Sequence, residues 1–306
     1  MKKSFFSLLF FFLLLASCSK RESGVDDKKT NQKVFTLTKL PDGVEQLFDA
    51  RGDKDQDTVW VFLQGGPDYK KNFELEAEAT SKDYDFFLDD LRVYPIQTQQ
   101  INESLKTAEN FTFEDSRKES ELNAKIVKDV VQHFKDQNKV VYLIGHSYGA
   151  FLLQKVLADY GNISNGNAVL NCRLNIEDVV WKNFKEGKPV FFDSKGENPT
   201  AQELTEDLLK QQGKSGALQE IKNISIYGSY IISLRYLDLL KDVDLSKTLF
   251  IGAQNDSAVG DWTTEEYQFL QKKAAKVYFG EGNHSSIFDY DGMKSVQLFL
   301  IGKSPF

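Results

Sequence analysis

Residues 140–153 read VVYLIGHSYGAFLL. The apolar run Val140 to Ile144 leads without interruption into Gly145-His146-Ser147-Tyr148-Gly149, and Phe151, Leu152, Val156 and Leu157 then recur at helical spacing. The stretch is therefore a buried strand, a sharp turn and a helix, with a serine at the apex. A reversal this tight forces strand and helix together, so a Cβ at 145 or 149 would collide with a neighbouring element. Ala150 suits the same crowding.

Such a turn holds Ser147 in a strained backbone conformation and lifts its hydroxyl above the sheet edge. It also points the first amides of the helix, including the N–H of Tyr148, at the place where an attacked carbonyl would gain negative charge. The five-residue pattern is too short to decide anything alone. Its position, after a buried strand and opening a helix, gives it chemical meaning.

Around this stretch lies a chain of 306 residues, 41% hydrophobic and 27% charged, which is enough to bury a large core. One large α/β domain with an insertion fits better than two small domains. A net charge of −7 argues against nucleic acid or an anionic membrane surface as a partner.

At the N-terminus Lys2 and Lys3 precede FFSLLFFFLLLA, an apolar run too short to span a bilayer, followed by Ser17 and Cys18. Residues 1–17 resemble a bacterial lipoprotein signal peptide ending in its lipobox. That resemblance implies a lipid on Cys18 and attachment to a membrane of the bacterial cell envelope. Residues 18–33 are polar and without periodicity, as a flexible tether would be. With Cys18 lipidated, Cys172 has no partner for an intrachain disulfide, and as part of an apolar run it reads as core filling.

From residue 34 the pattern is strand and helix in alternation. VFTLTKL and GVEQLFDAR flank Pro41-Asp42-Gly43 and read as an opening β-hairpin. Thr58 to Leu63 is a continuous apolar run of central-strand type, ending at Gln64-Gly65-Gly66-Pro67-Asp68. A glycine loop there lets a free backbone N–H approach a substrate oxygen with no Cβ in the way. Leu91 to Ile96 is another strand. After the polar residues 97–119, Leu122, Ile126, Val127, Val130, Val131 and Phe134 mark an amphipathic helix, with His133 on its solvated side.

Residues 168–174 form a further strand, and residues 175–246 then break the rhythm. That region contains helical stretches, one opened by the capping box Thr200-Ala201-Gln202-Glu203, and the aromatics Trp181, Phe184, Phe191, Phe192, Tyr227, Tyr230 and Tyr236. It reads as a helical cap inserted over the site, its aromatics either lining a pocket or packing the cap's own core. Alternation resumes with the strand 247–252, a loop carrying Asp256, a helix from about Thr263 boxed by Glu266, the strand 275–279, and a glycine-rich loop carrying His284 before a closing helix.

A serine hydroxyl needs a base to become nucleophilic, and the base needs an acid to hold its tautomer. Of three histidines, His146 is inside the turn and His133 on a polar surface, which leaves His284. Asp256 is the first choice of acid, with Asp261 close by and Asp178 and Asp193 following earlier strands. Ser147, Asp256 and His284 then sit on three loops at one end of a parallel sheet, where they can converge.

GHSYG, the QGGP loop, Asp256 before Ser257-Ala258-Val259, and Gly282-Asn283-His284-Ser285 together resemble an α/β-hydrolase fold protein over residues 34–306. The resemblance implies a mostly parallel central sheet flanked by helices, with a helical cap. QGGP is also similar to the HGGPG loop of the proline iminopeptidase-like branch, but Gln64 replaces its His, Asp68 its last Gly, and no DQRG is present near Tyr94 to Gln99. For function the resemblance implies a serine hydrolase, with Ser147, Asp256 and His284 as triad and the amides of Tyr148 and Gly65 or Gly66 as oxyanion donors. Its partner would be a small acyl substrate, an ester or thioester before an amide or short peptide, and no metal or organic cofactor is implied. A non-catalytic binding lipoprotein on the same fold is the competing reading.

Overall fold

The computed structural model describes residues 33–71, 90–274, 276–288 and 290–303. Cys18 and the whole signal and tether region up to residue 32 lie outside them. Five parallel strands form the centre of the sheet: β2 (Thr58–Leu63), β3 (Leu91–Pro95), β4 (Val140–His146), β5 (Gly166–Leu170) and β8 (Thr248–Ala253). β9 (Lys276–Gly280) extends one edge in parallel, while β1 (Phe48–Arg51) closes the other antiparallel to β3. The order is β1-β3-β2-β4-β5-β8-β9.

Their composition explains why these are the strands. Val59, Trp60, Val61, Leu143, Ile144, Ala168, Val169 and Leu170 are all fully buried, because the sheet is covered on both faces. The chain runs outward from β2 to β3, then crosses back over β2 to β4. The crevice at the C-terminal ends of β2 and β4 is thus a topological switch point, the usual ligand position of an open α/β sheet.

On one face the helices α2 (Phe113–Asp136) and α3 (Tyr148–Tyr160) cover the sheet. α2 begins nine residues before Leu122, where the apolar pattern starts. Thr112 and Asp115 form its capping box, and its first turns bury Ser116, Glu119, Ser120 and Asn123. Preceding it, residues 98–107 fold as a 3-10 turn (Thr98–Gln100) and the short α1 (Glu103–Thr107).

Residues 34–40 contain no strand, so the expected opening hairpin does not form. The segment is a strap held by side chains: Thr38 donates its N–H (2.9 Å) and hydroxyl (2.7 Å) to Glu119, the Phe35 N–H goes to Asn110, and Asn102 donates to the Thr36 carbonyl. Distant polar groups satisfy this backbone in place of a neighbouring strand.

Between β5 and β8 lie α4 (Asp178–Lys185), the hairpin β6 (Val190–Phe192) and β7 (Pro199–Ala201), α5 (Glu206–Gln211), α6 (Leu218–Ser233) and α7 (Tyr236–Leu239). The region read as a helical cap thus holds four helices and one short hairpin. Thr200 is in β7 and caps nothing; Thr205 caps α5 through the Leu208 N–H at 3.2 Å. α6 packs on α1, α2 and α3, so part of the insertion belongs to the main core. Tyr227 and Tyr236 are fully buried there, while Leu209, Ala217 and Ile221 form a small core of the insertion's own. The last described helices are α8 (Thr264–Lys273), capped as expected by Thr263 and Glu266, and α9 (Tyr290–Leu300). Among the described residues no helix is long and apolar enough to cross a membrane.

Candidate active site

Ser147 stands between the end of β4 and the first turn of α3 at φ 54 and ψ −121, a conformation that a non-glycine residue takes only when its surroundings impose it. The imposition is steric. A Cβ on Gly145 would meet the Gly149 carbonyl oxygen at 2.4 Å, and one on Gly149 would meet that of Leu63 at 2.0 Å. The glycines let β2, β4 and α3 come into backbone contact, and the serine between them takes the strain.

The register places the glycine loop beside the elbow. Leu63 pairs with Gly145, so Gly65, two residues on, stands opposite Ser147. A Cβ on Gly65 would lie 3.4 Å from that of Ser147. Among the described residues the N–H groups of Gly65, Gly66 and Tyr148 make no hydrogen bond; Tyr148 follows the serine directly and Gly65 stands against it. Such a group of donors can receive an oxyanion.

Asp256 and His284 come from the loops after the adjacent strands β8 and β9. The His284 Nδ1–H donates to the Asp256 carboxylate, whose oxygens lie 2.9 and 2.8 Å away. Both residues are buried, His284 at 4% and Asp256 at 1% exposure, which leaves the pair too dry for water to compete. Burial alone would push the Asp256 carboxyl up. The charge and hydrogen bond of His284, with the N–H groups of Ala258 and Val259, outweigh it and hold the group below its ordinary 3.8, so the carboxylate is ionised at neutral pH.

The other acidic candidates do different work. Asp261 accepts the Asp256 N–H at 3.2 Å and so braces the acid loop from behind. Asp178 is exposed and pairs with Lys182 and Arg235, and Asp193 closes the β6–β7 turn through Asn198 and two backbone N–H groups. His133 lies on the surface of α2 beside Gln137.

His146 has a role the sequence did not disclose. Its Nε2–H donates to the His284 carbonyl at 3.0 Å, tying the loop after β9 to the elbow. The two imidazoles are 4.8 Å apart. Burial, then the neighbouring His284, lower the His146 pKa to about 3, so it remains a neutral donor on Nε2. Its place next to the serine was the only sequence signal. Ser147 is half-buried, and among the described residues its hydroxyl makes no hydrogen bond, to His284 or to any other group. The His284–Asp256 pair is thus formed, while among the described residues no hydrogen bond joins His284 to Ser147.

Buried polar contacts fix the loop ends. Glu266 accepts the N–H groups of Leu174 (2.7 Å), Asn175 (2.9 Å) and Thr263 (2.7 Å) and pairs with Arg173 at 2.8 Å. The cap of α8 therefore also joins the segment after β5 to the far end of the acid loop. Phe192 of the hairpin lies under Gly260, and its N–H donates to the Ser257 carbonyl at 2.9 Å.

No protein-family model and no curated protein sequence matches the chain. Solved structures do. It is similar to MGS-M2, an α/β hydrolase enzyme from a Medee basin deep-sea metagenome library, at 15% identity over 84% of this chain and 94% of that one, with a TM-score of 0.51. A lipase-esterase related protein from Clostridium acetobutylicum gives 14% identity, 82% and 98% coverage and 0.51, and MenH from S. aureus 13%, 83% and 97%, and 0.50. The fold is the α/β-hydrolase fold. Within it the strained serine follows the central strand β4, and the aspartate and histidine follow the two strands at its far edge.

Proposed function

We propose that the protein is a serine hydrolase that cleaves a carboxylic ester or thioester through an acyl-enzyme on Ser147. The observation that carries the reading is the strained Ser147 beside a buried His284–Asp256 pair. His284 Nε2 takes the Ser147 proton as Oγ attacks the acyl carbon, and Asp256 stabilises the imidazolium. The oxyanion lies on the N–H of Tyr148 and of Gly65 or Gly66. Collapse expels the alcohol or thiol with the proton from His284, and water activated by His284 then releases the acid.

Esters come before peptides because the loop after β3 reads QTQQ, where the aminopeptidase-like branch carries DQRG. The lipase-esterase related protein, by the name it bears, fits this order. The N-terminal sequence supports a lipid on Cys18 that holds the domain at an envelope membrane.

Among the described residues the Ser147 hydroxyl makes no hydrogen bond, which favours a second reading, a binding protein that has kept the fold without the chemistry. A fluorophosphonate probe separates the two. The wild type is expected to be labelled within minutes and Ser147→Ala not at all; a folded wild type that resists the probe supports the binder.

A further inference from the structure

We infer that Gln97 is a positioning residue of the oxyanion site: by holding the Gln64 carbonyl on one side of β2, it presents the Gly65 N–H to Ser147 on the other. This rests on the serine-hydrolase reading and adds to it a residue that does not itself touch substrate.

β2 lies between β3 and β4. The loop after β4 carries Ser147, and the loop after β3 carries Gln97. The Gln64–Gly65 peptide is planar and trans, so its C=O and N–H point in opposite directions. Gln97 Nε2 donates to the Gln64 carbonyl at 3.2 Å, from the β3 side. The N–H of the same peptide plane must therefore face the β4 side, where the Gly65 Cα stands against the serine.

The carboxamide of Gln97 is itself held. Its oxygen accepts from Gln99 Nε2 at 2.5 Å, and Gln99 Nε2 also reaches the Asp68 carbonyl at 3.0 Å. Turning the Gln97 amide over would set its oxygen against the Gln64 carbonyl and its NH2 against that of Gln99, so only one orientation satisfies both contacts. The Gln97 backbone is pinned by Gln100, whose side chain accepts the Gln97 N–H at 2.9 Å. Gln97 is 2% and Gln99 0% exposed. Gln64 and Gln100 add donors to the Lys70 carbonyl at 3.1 and 3.3 Å. Four glutamines thus grip the carbonyls of residues 64–70, and the amides of Gly65 and Gly66 are left to point elsewhere. Direct base or nucleophile roles for Gln97 are excluded by its chemistry, since a carboxamide does not titrate.

The test is Gln97→Met, of similar length without the donor, and Gln97→Ala, assayed on a p-nitrophenyl ester and on the matching thionoester, whose sulfur uses oxyanion donors poorly. Each variant is expected to lose roughly 10- to 100-fold in kcat on the oxo-ester, less than the 10²–10³ of a deleted donor, with KM within about threefold. The loss on the thionoester should be markedly smaller, so the preference for oxygen over sulfur falls. Unchanged kcat, or an equal loss on both substrates, overturns the inference. So does failure of both variants to fold, which would make Gln97 a folding residue. A wild type inert to fluorophosphonate and ester alike would instead sink the hydrolase reading itself.

Discussion

The elbow and the strap at residues 33–40 are both held by backbone hydrogen bonding and close packing, yet by opposite logic. At the elbow the residues that accept the constraint are consecutive: an apolar strand, two glycines that admit neighbouring backbones, and a serine forced to φ 54. At the strap every constraint comes from far along the chain, from Asn102, Asn110 and the fully buried Glu119. The strap borders a polar seam, where Ser116 donates to the Tyr227 carbonyl at 2.7 Å and Asn123 binds both Tyr148 and Tyr227 hydroxyls. Steric rules of the backbone are written in consecutive residues, and side-chain rescue of a backbone is not.

The largest effect is expected from Gly149→Ala. One methyl placed 2.0 Å from the Leu63 carbonyl has no side chain to push aside, only a strand, so we expect loss of the cooperative thermal transition. A variant that melts within a few degrees of wild type would show that the elbow is not sterically determined.

Asp256→Asn separates the chemistry of the elbow end from its folding. The amide keeps the contacts to Ala258 and Val259 but not the charge that holds the His284 tautomer. Turnover is expected to fall on the order of 10⁴-fold with the fold retained, read as kcat on a p-nitrophenyl ester. A loss under tenfold would assign the acid to another residue, Asp261 first.

Glu119→Ala sharpens the other side. It strips two acceptors from Thr38 and should cost about 2–4 kcal/mol by urea denaturation, with faster amide exchange confined to residues 33–40. Exchange that rises equally in α3 would mean that the seam supports the elbow after all.

The most gradual effect is a pH slope at His146. Its folded pKa of about 3 lies below the ordinary 6.5, so between these values the unfolded chain binds a proton that the folded one refuses. Stability is complete above about pH 6.5 and falls as pH drops, by about 1.4 kcal/mol per pH unit, until the folded group also titrates. His146→Asn should remove that part of the slope. Identical slopes for wild type and variant would contradict a buried neutral imidazole.

The difference in logic also explains which features the sequence revealed. The strands β2, β4 and β8 were legible because buried parallel strands are continuous apolar runs, and the elbow because its glycines flank a serine. Thr263 and Glu266 announced α8 correctly, since a capping box is a local signal; Thr200 and Glu203 had the same spacing and were overridden by the β6–β7 pairing. The early turns of α2 were hidden because Ser116, Glu119 and Asn123 face inward, and a helix whose core face is polar has no apolar stripe. VFTLTKL alternates like a strand but has no strand to pair with, and its Thr38 satisfies a buried glutamate. At the site, Ser147, Asp256 and His284 could be ordered from loop positions, whereas His146 and Gln97 act through carbonyls that only the fold brings near.

Acylation of Ser147 is observable by rapid quenching of the wild type with a p-nitrophenyl ester followed by peptide mapping by mass spectrometry. One acyl adduct is expected, on the peptide containing Ser147 and absent from Ser147→Ala. Steady turnover with no adduct, or an adduct that persists in Ser147→Ala, would contradict it.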